Sequence, residues 1–218
     1  MKGAQLHAAL VAQSEILPNG RPYGCVEFGG DLHENALCRL TRDLVLRLLS
    51  DLPVPRILEI GSGGGRWTRF LATLTNDLVC VDATDTTVDH IAALKLPTPL
   101  MFLICKDGRL PSQTGQLLNQ SVDLIFSYDT FVHFPENLFL TYLDRLADTL
   151  KPHGHMVLHH GSQMNRMPHQ PIDQTGNWFY YEDSAVDMRM ATAGFRKLEE
   201  LHATEGFGSR VVCYTRQD

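Results

Sequence analysis

The 218-residue chain reads as a doubly wound α/β domain: a mostly parallel sheet of seven strands with an antiparallel hairpin at its C-terminal edge. Three observations predict this. From residue 56 onward, short runs that are apolar along their whole length alternate with amphipathic stretches, the pattern of parallel strands covered by helices on both faces. The first apolar run ends in a glycine turn, Gly61-Ser62-Gly63-Gly64-Gly65. After residue 195 the alternation stops, and two strand-like segments follow with only a short Gly-containing connection, too short for a crossover.

The elements follow in order. Residues 3–14 have the composition of a short helix, and a Pro/Gly-rich loop passage follows (Pro18, Gly20, Pro22, Gly24, Gly29, Gly30). Between Glu34 and Leu49 the apolar residues Leu37, Leu40, Leu44, Val45, Leu48 and Leu49 recur at helical spacing until Pro53 and Pro55 stop the helix. Strands are expected at 56–60, 78–82, 100–105, 122–127 and 154–159, with helices near 66–74, 85–94, 112–119 and 136–150. A helix near 182–193 ends at Gly194, and strands 195–201 and 210–215 form the closing hairpin. The expected division is an N-terminal helical or lid segment, 1–55, and a catalytic domain, 56–218.

Composition bounds the function. A hydrophobic fraction of 44% and a charged fraction of 20% suit a soluble globular protein, and no stretch approaches the roughly 20 apolar residues of a membrane span. The first 17 residues lack the continuous apolar region of a signal peptide, so a cytoplasmic location is expected. A net charge of -6 argues against a phosphate-backbone partner, and no nucleic-acid or membrane partner is expected. The five cysteines form no CxxC pair and read as reduced and buried.

The glycine turn is where chemistry is expected, because ligands of open parallel sheets bind beyond the carboxyl ends of the strands. Gly61, Gly63 and Gly65 let the chain turn sharply and bring a ligand close to backbone. A dinucleotide turn, GxGxxG, needs a third glycine where this chain has Arg66, or Thr68 if counted from Gly63. What stands here is Glu59, Gly61, Gly63 and Gly65, spaced ExGxGxG.

That spacing resembles motif I of the class I methyltransferases, whose fold is Rossmann-like, and the resemblance extends over most of residues 56–215. It implies S-adenosyl-L-methionine as cofactor, with Glu59, Gly61, Ser62, Gly63 and Gly65 around the loop and Glu59 supporting the cationic methionine end. Leu78-Val79-Cys80-Val81-Asp82 resembles the second strand, whose terminal acid takes the ribose hydroxyls, which places Asp82 and Ala83 at the ribose. Ile104-Cys105-Lys106-Asp107-Gly108 resembles the adenine-reading end of the third strand, giving Asp107 and Gly108 that role. Val122 to Ser127 is similar to the fourth strand, with Ser127 under the methionine moiety. Leu150-Lys151-Pro152-His153-Gly154 resembles the LKPGG turn before strand five, with His153 in place of its first glycine, and Ala193-Gly194-Phe195 matches the opening of strand six.

Methyl transfer needs alignment above all, and an alcohol acceptor must also lose a proton. The loops after strands four and five carry the candidates: Ser127-Tyr128-Asp129-Thr130-Phe131-Val132-His133 and His159-His160-Gly161. His160 or His133 is the expected general base with Asp129 orienting it; for His133 the alternatives are packing over the adenine or capping the next helix. This passage resembles small bacterial methyltransferases of glycan and natural-product tailoring. Residues 161–182, rich in Pro, Met and aromatics (Trp178, Phe179, Tyr180, Tyr181), read either as an acceptor wall or as core, and with Tyr23, Phe28, Asp31 and His33 as a lid.

No metal is expected, since His153, His155 and His159 alternate on one strand face without any metal-binding motif. Asp129 is the residue that would serve a catechol-type Mg²⁺ site. The expected activity is methyl transfer to an oxygen or nitrogen of a small-molecule acceptor, a sugar or secondary metabolite, by a monomer or homodimer. The alternatives are methylation of a macromolecule and a non-catalytic S-adenosylmethionine- or S-adenosylhomocysteine-binding protein; a nicotinamide oxidoreductase ranks below them.

Overall fold

The computed structural model describes residues 36–83, 85–105, 118–166, 178–202 and 208–218, without the side chains of Thr86 and His90. The expected helix at 3–14, the lid residues Tyr23, Phe28, Asp31 and His33, the adenine readers Asp107 and Gly108, and nearly all of the helix at 112–119 lie outside these residues. The chain divides into two compact units, 1–111 and 112–218.

In the first unit, helix α1 (Ala36–Leu49) buries Leu37, Thr41, Leu44, Val45 and Leu49. Leu40, expected on that face, is 48% exposed. Thr41, one turn on from Leu37, takes the inward position instead, and its hydroxyl donates to the Leu37 carbonyl at 2.7 Å, so burial leaves no polar group unsatisfied. Strands β1 (Arg56–Ile60), β2 (Asp77–Asp82) and β3 (Leu100–Ile104) are parallel in the order β3-β2-β1. Between them run helices α2 (Arg66–Leu71) and α3 (Thr86–Ala93). Ile57, Leu58 and Ile60 of β1 and Leu78 to Val81 of β2 are all buried, which is why these strands read as continuous apolar runs rather than alternating ones.

In the second unit, β4 (Val122–Ser127) lies parallel to β5 (Leu150–Ser162), and β8 (Ser209–Arg216) runs antiparallel between β5 and β7 (Phe195–His202). A two-residue strand, β6 (Tyr180–Tyr181), pairs with the end of β5. The closing hairpin is therefore present, and its outer strand β7 carries Arg196, Lys197, Glu199 and Glu200, charges suited to an edge. Helix α4 (Glu136–Ala147) buries Phe139, Tyr142, Leu143 and Leu146, and α5 (Asp183–Thr192) buries Val186 and Met190.

Strand β5 starts four residues earlier than expected, so Leu150-Lys151-Pro152-His153-Gly154 lies within the strand rather than ahead of it. The pairing with β4 shifts register there, between Val122 and Leu124, and His153 takes a left-handed conformation (φ 61°), the backbone for which glycine is the usual residue.

Alternation along β5 decides which side chains share a face. His160 stands opposite Arg210, and Met156 opposite Tyr214, on the face covered by α5; His159 points to the other face. Arg210 is fully buried, and its guanidinium reaches Asp187 at 2.7 and 2.9 Å, Glu200 at 2.9 Å and Asp183 at 3.5 Å. Tyr214 donates to the same Asp187 carboxylate at 2.5 Å. No helix among the described residues is long and apolar enough to cross a membrane. The four described cysteines, Cys38, Cys80, Cys105 and Cys213, are buried and form no disulfide with one another.

Candidate cofactor and acceptor sites

The glycine turn closes β1. Gly61, Gly63 and Gly65 all have positive φ (77°, 50° and 86°), backbone that residues with a Cβ rarely adopt. Gly65 has a second reason: a Cβ there would come within 2.6 Å of Leu94 and 3.3 Å of Ile91, so glycine lets the chain beyond α3 pack against the turn.

The amides of this turn are used internally. Gly61 N–H donates to Val81 at 2.7 Å, Gly65 N–H to Ser62 at 2.9 Å, and Gly63 N–H to the Asp82 carboxylate at 2.9 Å. The Ser62 hydroxyl donates to the same carboxylate at 3.3 Å, and the Ala83 amide to its other oxygen at 2.7 Å. Asp82 thus stands at the end of β2 braced by the turn. A pyrophosphate would need these amides free and would face the Asp82 charge, whereas a ribose diol needs an acceptor such as Asp82.

Glu59 is 2% exposed. The Thr68 hydroxyl donates to it at 2.7 Å and the Cys80 thiol at 3.5 Å, both neutral donors. Burial, only partly offset by these hydrogen bonds, pushes its carboxyl up to about 7, with the Asp82 charge adding to the rise. A buried acid whose described partners are all neutral suits a ligand that brings its own positive charge, as a sulfonium with an α-amino group does.

The same burial predicts a pH dependence of stability. The folded-state value lies above the unfolded one, so the contribution of the protonated carboxyl is complete below pH 4.5 and is lost as the pH rises through about 7. Its size is on the order of 3 kcal/mol. In urea unfolding of the cofactor-free chain, Glu59→Gln should lack this loss between pH 5 and 8; an identical slope in both proteins would refute it.

In the second unit, β4 ends at Ser127, which is fully buried, and Asp129 follows with a left-handed backbone (φ 60°). His159 is the imidazole that meets it. The Asp129 amide N–H donates to His159 Nδ1 at 3.1 Å, and the Asp129 carboxylate lies 3.5 Å from the same nitrogen. His159 stacks on Tyr128 at 4.2 Å between ring centroids, and the Trp178 ring stands edge-on to both His159 and His133.

Trp178 belongs to a segment fixed at several points. Phe179 N–H donates to the Val132 carbonyl at 2.6 Å, and the Tyr181 hydroxyl lies 2.5 Å from the Phe131 and Phe134 carbonyls, in and beside a 3-10 turn (Phe131–His133). Gly161 lets this segment cross β5, because a Cβ there would press into the Phe179 carbonyl and stand 3.0 Å from Trp178 Nε1. Of the aromatics expected as acceptor wall or core, Tyr181 is core and Trp178 stands beside the histidines.

His160, expected among the candidate bases, has different surroundings. It is fully buried beside Phe139 and Tyr181, and burial pulls its imidazole down to about 4, so it is neutral at pH 7. Its Nδ1 lies 3.0 Å from the Gly161 carbonyl, and Nε2 has no hydrogen-bond partner among the described residues. The adjacent His159, absent from the expected catalytic set, is the one that meets Asp129. Strand alternation separates the pair, but which of the two faces the loop depends on which face α5 covers, and the sequence of β5 alone does not say. Among the described residues no group of three His, Cys, Asp or Glu side chains could hold a metal ion.

Residues 57–154 match the family described as a methyltransferase domain. No curated protein sequence matches the chain. Solved structures do. The N-methyltransferase NodS from Bradyrhizobium japonicum WM9, in complex with S-adenosyl-L-homocysteine, is 15% identical with a TM-score of 0.68 and 100% of each chain covered. An S-adenosylmethionine-dependent methyltransferase from Mesorhizobium loti is 14% identical, with a TM-score of 0.63 over 80% of this chain and 96% of that one. Magnesium protoporphyrin IX methyltransferase from Synechocystis PCC 6803, with bound S-adenosylhomocysteine, is 16% identical, with a TM-score of 0.62 over 83% and 84%. These likenesses show a Rossmann-like fold shared with these methyltransferases, and the family match assigns a methyltransferase domain to residues 57–154 of this chain.

Proposed function

We propose that this methyltransferase acts on an oxygen or nitrogen of a small molecule. The observation that carries the reading is the cluster after β4: an Asp129 carboxylate, 41% exposed, against His159, whose ring stacks on Tyr128 and meets Trp178, which in turn meets His133. A carboxylate among aromatic rings suits an acceptor that presents an N–H or O–H next to an apolar or ring-shaped body. That NodS is an N-methyltransferase is consistent with an amine among the acceptors.

When bound, S-adenosylmethionine supplies an electrophilic methyl group on a sulfonium. The chain's own residues do the rest of the work. Asp82 and Ala83 hold the ribose, Gly61, Ser62, Gly63 and Gly65 shape the turn beside it, and Glu59 balances the positive end. By the resemblance to the family, Asp107 and Gly108 would read the adenine and Ser127 would stand by the methionine moiety. Asp129 accepts the hydrogen bond of the acceptor's N–H or O–H, aims its lone pair, and takes the proton where an alcohol reacts. His133, beside Trp178, lines the acceptor.

The test is release of S-adenosylhomocysteine from labelled S-adenosylmethionine across a panel of amines, amino sugars, phenols and sugar alcohols, with protein and RNA preparations as comparison. Turnover of one or more small molecules, lost in Asp129→Ala with cofactor affinity retained, is the expected result. Turnover of a macromolecule only, or cofactor binding with no transfer at all, would overturn the reading.

A further inference from the structure

We infer that His159 is a positioning residue of the transfer site, acting through Asp129: its neutral imidazole, protonated on Nε2, accepts the Asp129 amide at Nδ1 and so fixes the left-handed turn that aims the carboxylate. The inference deepens the reading above and rests on it. It stands on three features of the second unit.

The first is the direction of the hydrogen bond. A backbone N–H can only donate, so Nδ1, at 3.1 Å, must present its lone pair, and the proton of the neutral ring is on Nε2. The second is what the bond holds. Asp129 is one of four described residues other than glycine with positive φ, a conformation that Asp tolerates better than most residues but that still needs contacts to select it. A charge-free acceptor at the amide of that residue is such a contact. The third is how firmly the ring is set. His159 is 2% exposed, stacks on Tyr128 with the ring planes 9° apart, and meets the Trp178 edge, so the imidazole comes to Asp129 in a fixed orientation. Trp178 in turn belongs to the segment anchored at Val132, Phe131 and Phe134. The order of command runs from strand to ring to loop: β5 places His159, and His159 places Asp129.

Three substitutions separate this role from packing. His159→Asn puts an amide oxygen where Nδ1 stands and keeps the acceptor. His159→Gln carries its oxygen out toward the Nε2 position. His159→Phe keeps a ring to stack on Tyr128 and has no acceptor. The experiment is 15N NMR of the full chain saturated with S-adenosylhomocysteine, with calorimetric affinity for that ligand measured on each variant, and transfer to the acceptor panel where the wild type shows it.

The wild type should show an Nε2–H imidazole and an Asp129 amide protected from exchange. Asn should keep that protection and at least a third of the turnover, whereas Gln and Phe should lose the protection and ten- to a hundred-fold of the turnover, with ligand affinity within threefold of wild type in all. An Nδ1–H imidazole, or an Asp129 amide equally protected in the Phe variant, would overturn the inference. Failure of the functional reading looks different: the tautomer and the protected amide are present, and no small molecule is methylated.

Discussion

Arg210→Ala should destabilise the chain by roughly 3–5 kcal/mol, the cost of leaving buried charge without its partner. The guanidinium is fully buried and is the point where three carboxylates from two elements converge: Asp183 and Asp187 from α5 and Glu200 from β7. Burial works against the charge on Arg210, but the hydrogen bonds to Glu200 and Asp187 more than offset it. Removing it leaves Asp183, whose side chain is 6% exposed, without its cation, and leaves the less buried Asp187 and Glu200 with Lys197 as their shared cation.

For a chain of this length such a loss lowers Tm by roughly 6–20 °C. Arg210→Lys keeps a charge without the fork and should lose less. The direction with pH follows from the carboxylates. Against the effect of burial, the hydrogen bonds of Lys197, Tyr214 and Arg210 hold Asp187 below the usual carboxylate range, and those of Arg210 and Lys197 do the same for Glu200. Their stabilising contribution is present above the unfolded value and lost as the pH falls, so the gap between wild type and Arg210→Ala should narrow toward pH 4. Thermal unfolding at pH 7 and pH 4 measures both; a variant within 1 kcal/mol of wild type at pH 7 would show that the cluster carries no net stability.

Asp82→Ala should weaken binding of S-adenosylhomocysteine by about a hundredfold or more. Hydrogen bonds to a charged acceptor are worth roughly 1.5–3 kcal/mol each, and two ribose hydroxyls would lose theirs together, with every 1.4 kcal/mol worth a factor of ten. The loss extends to the turn, because Gly63 and Ser62 are both anchored on this carboxylate. Asp82→Asn keeps one acceptor oxygen and should fall between the two. Calorimetry on folded variants, checked by thermal unfolding, decides it; an Asp82→Ala variant binding within fivefold of wild type would remove the ribose role from Asp82.

The sheet was legible because β1, β2 and β4 are buried on both faces; β3, only partly buried, was legible as an apolar run all the same. Ile57, Leu58 and Ile60 announce β1 whatever surrounds them, and the glycine turn follows from spacing alone. Asp82 was legible as an acid ending an apolar run, and the structure adds that the turn braces it. What escaped the sequence depends on which side of a strand faces which neighbour. His159 and His160 are chemically identical and adjacent, and only the placement of Arg210 opposite His160 and of Asp129 beside His159 tells them apart. Asp enters the left-handed region more readily than most residues, but nothing in the sequence singles out position 129 from the other aspartates. Leu40 fits the helical period of α1 as well as Thr41 does, but the inward position went to the residue whose hydroxyl bonds back to the helix. The early start of β5 escaped for a related reason: Pro152 and His153-Gly154 read as a turn, and the strand accommodates them through a register shift against β4.

Calorimetric titration of the full chain with S-adenosylmethionine, S-adenosylhomocysteine and NAD separates a sulfonium site from a dinucleotide site. Saturable one-to-one binding of the first two and none of NAD is expected, because the amides of Gly61, Gly63 and Gly65 are turned inward and Glu59 and Asp82 stand by the turn. Binding of NAD with no binding of either sulfur compound would contradict this expectation.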